Sequence, residues 1–373
     1  MEKVLLTDIC RPKQWKTIST SQLSEEGYPV FGANGIIGFY NEYTHEEPTL
    51  LITCRGATCG TLNISLPKSY VNGNAMALDN LSKDCDLKYL YYYLSQRGFN
   101  DVISGSAQPQ ITRENLSKVK VVKPSLAEQK AIAAKLDKAQ EIIRYNEEII
   151  TKYDALTQSL FIDMFGDPVK NEKGWEIKTI EGLVSKKKNS LKRGPFGGAL
   201  KKEIFVEKGY LVYEQFHALN NDFTMERYFI DEAKFKELEG FSVKPKDIII
   251  SCSGVYLGKL AIIPDNAKEG IINQALLKLT LNESIMRNDF FVFHFTQNNF
   301  KNKYFDSNRG AGIPNFPPMS DFKKFPFISP PITLQNQFAE RVAVIEAQKL
   351  LAQESLVKSQ ELFSSLLQES FEN

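Results

Sequence analysis

Few residues of this chain stand in a spacing that could do chemistry. Gly254-Val255-Tyr256-Leu257-Gly258-Lys259-Leu260 has the look of a phosphate-binding loop. It is one residue short of the required spacing and lacks the Ser or Thr that would hold magnesium. Its glycines suit a turn between strands better. Ser329-Pro330-Pro331-Ile332 begins like the tetrapeptide of amino-methyltransferases but lacks the aromatic last residue. Its prolines suit the end of a strand at 325–328 and the start of a helix. Pro264-Asp265 could open a nuclease site, yet no acid-x-lysine follows for more than fifty residues. The five cysteines (10, 54, 59, 85, 252) form no CxxC pair, and His45, His217 and His294 are scattered. Neither a disulfide framework nor a zinc site is expected. No Ser or Cys nucleophile sits at an elbow for the histidines to serve. The expectation is a chain that is not an enzyme and holds no cofactor or metal of its own.

One group carries a positive signal. Lys186, Lys187, Lys188, Lys192, Arg193, Lys201 and Lys202 occur with no acid among them, around Gly194-Pro195-Phe196-Gly197-Gly198. Such a run is either a solvated loop or an arm that tracks phosphates on DNA, where each neutralised phosphate releases counterions. Lysines position a duplex without reading it. Base edges are read by Arg, Asn, Gln or Glu. The candidates are Arg55, Gln108, Gln110 and Arg113 in the first half, and Arg193, Gln215, Asn308 and Arg309 in the second. Net charge is only +1, but the segments 125–165 and 333–373 sum to −5 and leave +6 for the rest. Positive charge therefore sits outside those two segments.

These segments are the elements that must position everything else. Ser125 to Phe165 contains neither Gly nor Pro, follows Pro124 and ends at Gly166 and Pro168. Ser125 and Glu128 have capping-box spacing. Apolar residues recur at heptad spacing through Ile132, Leu136, Ala139, Ile143, Asn146, Ile150, Tyr153, Leu160 and Met164, interrupted at Thr157. Such a helix is roughly 60 Å long. Thr333 to Phe371 is a second copy, with the seam Phe338, Val342, Ile345, Ala352, Leu356, Phe363 and Leu366. Ser-Leu-Ala-Glu-Gln at 125–129 matches Thr-Leu-Gln-Asn-Gln at 333–337, and the ends match at 159–161 and 365–367. Asn146 either fixes the register against a polar partner such as Gln348 or Gln353, or points to solvent.

The regions before the helices also correspond. Strand 49–54 runs into Gly56 and Gly60, and strand 247–252 into Gly254 and Gly258. Residues 73–78 lie opposite 272–277, a helix at 87–96 opposite one at 285–297, and 105–111 opposite 310–316. Leu6-Thr7-Asp8-Ile9 answers Ile180-Glu181-Gly182-Leu183. The second half carries an insertion at Lys186–Tyr228, where the first has the shorter Arg11–Tyr28. A chain of 373 residues is long enough for two or three domains. The order is globule, helix, globule, helix. No apolar run approaches 18 residues and Met1-Glu2-Lys3 open no signal peptide, so a cytoplasmic protein without a membrane partner is expected.

Taken together, the blocks resemble the specificity subunit of type I restriction-modification systems. They are YPVFGANGIIGFY (28–40), ITCRGATCG (52–60), VNGNAMAL (71–78), GSAQPQIT (105–112) and KPSLAEQKAIAAKLD (123–137). The second half adds GPFGGALKKEIF (194–205), ISCSGVYLG (250–258) and ITLQNQFA (332–339). The resemblance implies an α+β chain of two duplicated target recognition domains, 1–124 and 167–332. Two spacer helices, 125–166 and 333–373, would separate them as an antiparallel coiled coil. Each domain would read one half of a bipartite site on double-stranded DNA. The helices would dock two modification subunits, which bring S-adenosylmethionine, and restriction subunits would bring ATP and Mg2+. Isolated helices of this length are marginal in water, so their seams need each other. The competing reading is a non-enzymatic coiled-coil adaptor whose globules bind protein or peptide.

Overall fold

Two stretches free of glycine and proline are helical without a break. The first long helix spans Leu126–Phe165 and the second Ile332–Phe371. The computed structural model describes residues 3–105, 108–254, 257–305 and 316–371. The Ser125 N–H and hydroxyl donate to Glu128 Oε2 at 2.9 and 2.7 Å, and the Glu128 N–H donates to Ser125 Oγ at 3.4 Å. This capping box starts the first helix. Gly166 ends it at φ 76°, and the Trp175 indole N–H donates to the Phe165 carbonyl at 2.8 Å.

Contacts gather the chain into two units, Met1–Ile150 with Leu351–Asn373, and Thr151–Leu350. Each holds one globule and a segment of both long helices.

In the first unit the strands are β1 (Lys3–Leu5), β2 (Arg11–Gln14), β3 (Tyr28–Gly32), β4 (Gly35–Tyr40) and β5 (Leu50–Thr53). They continue with β6 (Leu62–Ile64), β7 (Tyr70–Val71), β8 (Ala75–Asp79) and β9 (Lys120–Val122). One antiparallel sheet has the order β2-β8-β5-β6, a second is β4-β3-β7 with β3 and β7 parallel, and β1 pairs with β9. All four residues of β5 are buried, and alternate ones enter different cores. Leu50 and Ile52 join Leu90 and Leu94 of the helix Leu87–Arg97, whereas Leu51 joins Phe31 and Val71 of the second sheet. A strand covered on both faces reads as a continuous apolar run, as this one does.

The second unit repeats the plan with β10 (Ile177–Thr179), β11 (Leu191–Arg193), β12 (Tyr210–Tyr213), β13 (Phe229–Ile230) and β14 (Ser242–Val243). It continues with β15 (Ile248–Ser251), β16 (Leu260–Ile262), β17 (Gly270–Ile272), β18 (Leu276–Leu279) and β19 (Pro326–Ile328). The sheets are β11-β18-β15-β16 and β13-β12-β17-β14, with β12 and β17 parallel, and β10 pairs with β19. Ile248 and Ile250 face Phe290, Phe291 and Phe295, while Ile249 faces Leu211 and Tyr213. Each unit is an α+β globule, as the sequence predicts. The extra chain of the second half lies only partly within the Lys186–Tyr228 stretch where the sequence placed it. Because β12 answers β3, the surplus lies at Glu214–Asp247, against Ala33–Thr49 in the first half.

The long helices pair antiparallel within each unit. In the first, Lys135 meets Glu369 at 3.4 Å and Asn146 Nδ2 donates to Ser359 Oγ at 3.1 Å. Asn146 is buried, and its partner is Ser359, not Gln348 or Gln353, both of which are exposed. Leu136 and Ile143 are buried beside Ala133 and Ala139, Ile132, Ile150 and Leu356 are half-buried, and Phe363 packs on Tyr92. In the second unit, Phe161 and Phe165 meet Phe338 at 5.7 and 5.4 Å between ring centres, with Val342 and Ile345 half-buried. Thr157, the interruption in the seam, is buried and returns its hydroxyl to the Tyr153 carbonyl at 3.2 Å. The two helices align without a gap over 40 residues each, which pairs Gln129 with Gln335. The opening match of Gln129 to Gln337 is thus two residues out of register.

Candidate nucleic-acid interface

In the second globule, segments after β11, β12 and β15 and the one before β18 meet at one end of the sheets. Gly194 N–H donates to the Leu276 carbonyl at 2.8 Å, and a Cβ there would stand 1.8 Å from the Asn273 oxygen. Only glycine permits that approach. Asn273 N–H donates to Tyr213 O at 2.9 Å, and Cys252 N–H to Ala275 O at 2.8 Å. Gln215 Nε2 donates to Ser251 Oγ and to the Ser253 carbonyl, both at 2.6 Å. Its amide nitrogen therefore holds the loop after β15, which is a positioning task. Arg193 is exposed at the end of β11, and Gln274 is exposed beside it in this end cluster. Burial pushes the Cys252 thiol up to about 12, with the Arg193 charge opposing.

The first globule builds the same end from different residues. Arg55 and Gln110 face each other across a single antiparallel bridge, and Gly56 N–H donates to the Pro109 carbonyl at 3.0 Å. Gln14 Nε2 reaches Cys54 Sγ at 3.0 Å and the Gly73 carbonyl at 3.1 Å, and Thr53 Oγ1 donates to the Ala33 carbonyl. Arg55, Asn74, Gln108 and Gln110 are exposed there. Arg113, also exposed, opens the helix Arg113–Leu116, which Thr112 caps. Gly56 and Gly60 have φ of 88° and 94°, and Gly254 and Gly258 have 72° and 74°. These are turn glycines of matching hairpins. Arg and Gln presented on such loops can pair bidentately with guanine and adenine edges.

The basic cluster divides. Lys186, Lys187, Lys188, Lys201 and Lys202 are exposed, free to lie along a phosphate backbone. Lys192 is half-buried, with Nζ 3.1 Å from Asn189 Oδ1 and 4.4 Å over the Phe241 ring. Across the strands it faces Lys278, which is 7% exposed and donates to the Ser242 carbonyl at 2.6 Å. Burial holds Lys278 below the usual lysine range, partly offset by Asp247. Asn308 and Arg309 lie outside the described residues. Among the described residues no group of three or more His, Cys, Asp or Glu side chains could hold a metal ion. No described helix is long and apolar enough to cross a membrane.

The profile of the type I restriction modification DNA specificity domain matches residues 1–152. The specificity subunit of the Escherichia coli type I restriction enzyme EcoprrI is 33% identical over 111 residues, 30% of this chain and 27% of that one. Residues 1–152 are thus similar to a type I specificity domain. The MjaIX specificity subunit of Methanocaldococcus jannaschii is 25% identical over 239 residues, 58% of this chain and 53% of that one. The chain thus spans between about a quarter and about half of the length of these curated relatives. Two solved structures share the fold. The S subunit of a type I restriction-modification system from M. genitalium has TM-score 0.56 and 17% identity, covering 99% of this chain and 96% of that one. A chain from a study of complex assembly and conformational transition of the type I R-M system has TM-score 0.62 and 12% identity, covering 99% and 97%.

Within this fold, two features escape a reading by residue type. Gln129 is fully buried: its Oε1 accepts from Asp86 N–H at 2.8 Å, and its Nε2 donates to the Asp84 and Pro124 carbonyls at 3.0 and 2.9 Å. Gln335 does the same with Arg287 N–H at 2.9 Å and the Ile285 and Pro330 carbonyls at 2.9 and 2.8 Å. Each amide fastens the start of a long helix to its own globule. The available signal was the shared spacing from Pro124 to Gln129 and from Pro330 to Gln335. The second feature is Phe196, whose ring is 95% exposed.

Proposed function

We propose that this chain is the DNA-recognition subunit of a type I restriction-modification complex, and that it is itself non-catalytic. The observation that carries the reading is the loop end built twice, on a chain whose first domain matches a DNA specificity domain. Domains 1–124 and 167–332 each read one half of a bipartite target on double-stranded DNA. Exposed Arg55, Gln110 and Arg113 read in the first, Arg193 reads in the second, and the exposed lysines track phosphates. Helices 125–166 and 333–373 set the spacing of the half-sites and dock two modification subunits. S-adenosylmethionine belongs to those subunits, and ATP and Mg2+ to restriction subunits. The complex works in the cytoplasm.

The test is binding to duplex DNA across a salt series, with and without a modification subunit. The expected result is sequence-specific binding whose log affinity falls linearly with log salt. Binding that is undetectable with the partner present, or indifferent to salt, overturns the reading and favours a coiled-coil adaptor for protein or peptide.

A further inference from the structure

Phe196 sits where a water-exposed ring is least expected. It is 95% exposed, and the next most exposed phenylalanine among the described residues is Phe216 at 37%. The ring is not on a loose tether. Pro195 and Leu200 on either side are buried, Ala199 N–H closes a turn onto the Phe196 carbonyl at 2.9 Å, and Gly194 is wedged against Asn273. The turn leaves the sheet directly after Arg193, at the end where the loops converge. Its surroundings are cationic: no acid occurs between Lys186 and Lys202, and Lys201 and Lys202 are exposed. A partner whose apolar surface receives the ring while its flanks receive cations is a nucleic acid, whose bases lie stacked behind phosphates. Among the described residues, the matching place in the first globule carries no such exposed ring. There the chain leaves β2 through Trp15, whose indole is tied to Asp79 Oδ2 at 3.1 Å and packed edge-on against His45.

We propose that Phe196 is a wedge that presses into the base stack of the half-site read by the second globule, and of that half-site alone. This rests on the DNA-recognition reading above. A phenyl wedge partly unstacks a base step, kinks the duplex there, and favours steps that unstack easily.

The test uses the full chain with its modification subunit and duplexes carrying the mapped target, with 2-aminopurine placed in turn through both half-sites. The wild type should raise 2-aminopurine emission at one step, in one half-site only. Phe196→Ala should abolish that rise and weaken specific binding roughly ten- to a hundredfold, the range for loss of one aromatic–base contact. Its salt slope and melting temperature should not change, since no phosphate contact and no buried area is lost. Phe196→Leu should retain part of both signals. Binding by Phe196→Ala within twofold of wild type, with the emission rise intact, overturns the proposal. So does loss of the modification subunit at unchanged DNA affinity, which makes the ring a protein anchor. A wild type that shows no sequence-specific binding overturns the functional reading as well, so the two failures are told apart.

Discussion

Replacing Gln129 by Leu would remove one side chain and strand three backbone groups. The Asp86 N–H and the Asp84 and Pro124 carbonyls would lose partners at 2.8, 3.0 and 2.9 Å. The site is closed, with Gln129 at 0% exposure. A buried polar group left unpaired costs about 1–3 kcal/mol, most for a donor with no second option. Some relaxation of the carbonyls leaves a loss of about 3–5 kcal/mol for the first unit. In a unit of this size that lowers Tm by roughly 6–20 °C. Gln335→Leu should do the same to the second unit, whose Arg287 N–H and Ile285 and Pro330 carbonyls it serves. Exposed Gln337 is the internal control, and its change to Leu should stay within about 0.5 kcal/mol. Differential scanning calorimetry of the four chains reads both units at once. A loss below about 1 kcal/mol in Gln129→Leu would refute the latch. Equal losses in Gln335→Leu and Gln337→Leu would refute the helix register.

Three further outcomes are expected. Burial pushes fully enclosed His294 down to about 3, against about 6.5 in an unfolded chain. Its contribution to the second unit is complete above that unfolded value and is lost as pH falls toward 3. About 2–3 kcal/mol should go between pH 7 and 4.5, and the slope of Tm with pH should flatten in His294→Leu. Asn146→Leu combined with Ser359→Ala should raise the stability of the first unit by about 1–2 kcal/mol in a thermal melt, because a buried polar pair gives way to apolar packing. A lowered Tm would show that Asn146 contributes more than register. Removing seven residues within 140–155 and the seven facing them in the second helix keeps both seams. It should shorten the mapped spacer between half-sites by about 3 base pairs, the rise of two helical turns. An unchanged spacer would remove the helices from that role.

Much of this fold is written plainly in the residues. The long helices follow from the lack of glycine and proline and from the Ser125–Glu128 cap, and the hairpins from paired glycines at 56 and 60 and at 254 and 258. What stays hidden depends on pairing across distance. Gln129 and Gln335 look like surface residues of a polar first turn, and only the surrounding backbone amides and carbonyls show them to be buried. Asn146 could be placed on the seam, but its partner depends on the antiparallel stagger, which no local pattern encodes. The surplus of the second half was partly misplaced because β13 and β14 are two residues each, too short to carry a period. His294 lies on a helix of phenylalanines, where spacing cannot tell a ligand from a core residue. At the candidate interface, Arg55 and Gln110 were legible as residue types, while their meeting across a bridge was not. Phe196 was legible only as one residue inside the basic run, while its exposure depends on the turn that seats it.

Methylation mapping of DNA from cells that carry this chain with its modification subunits tests the central claim most directly. The account predicts a bipartite motif, two short halves around an unread spacer. Arg55→Ala with Gln110→Ala should alter or abolish recognition at one half and leave the other intact. A continuous motif, or a change that spreads to both halves, would contradict the claim that each globule reads its own half.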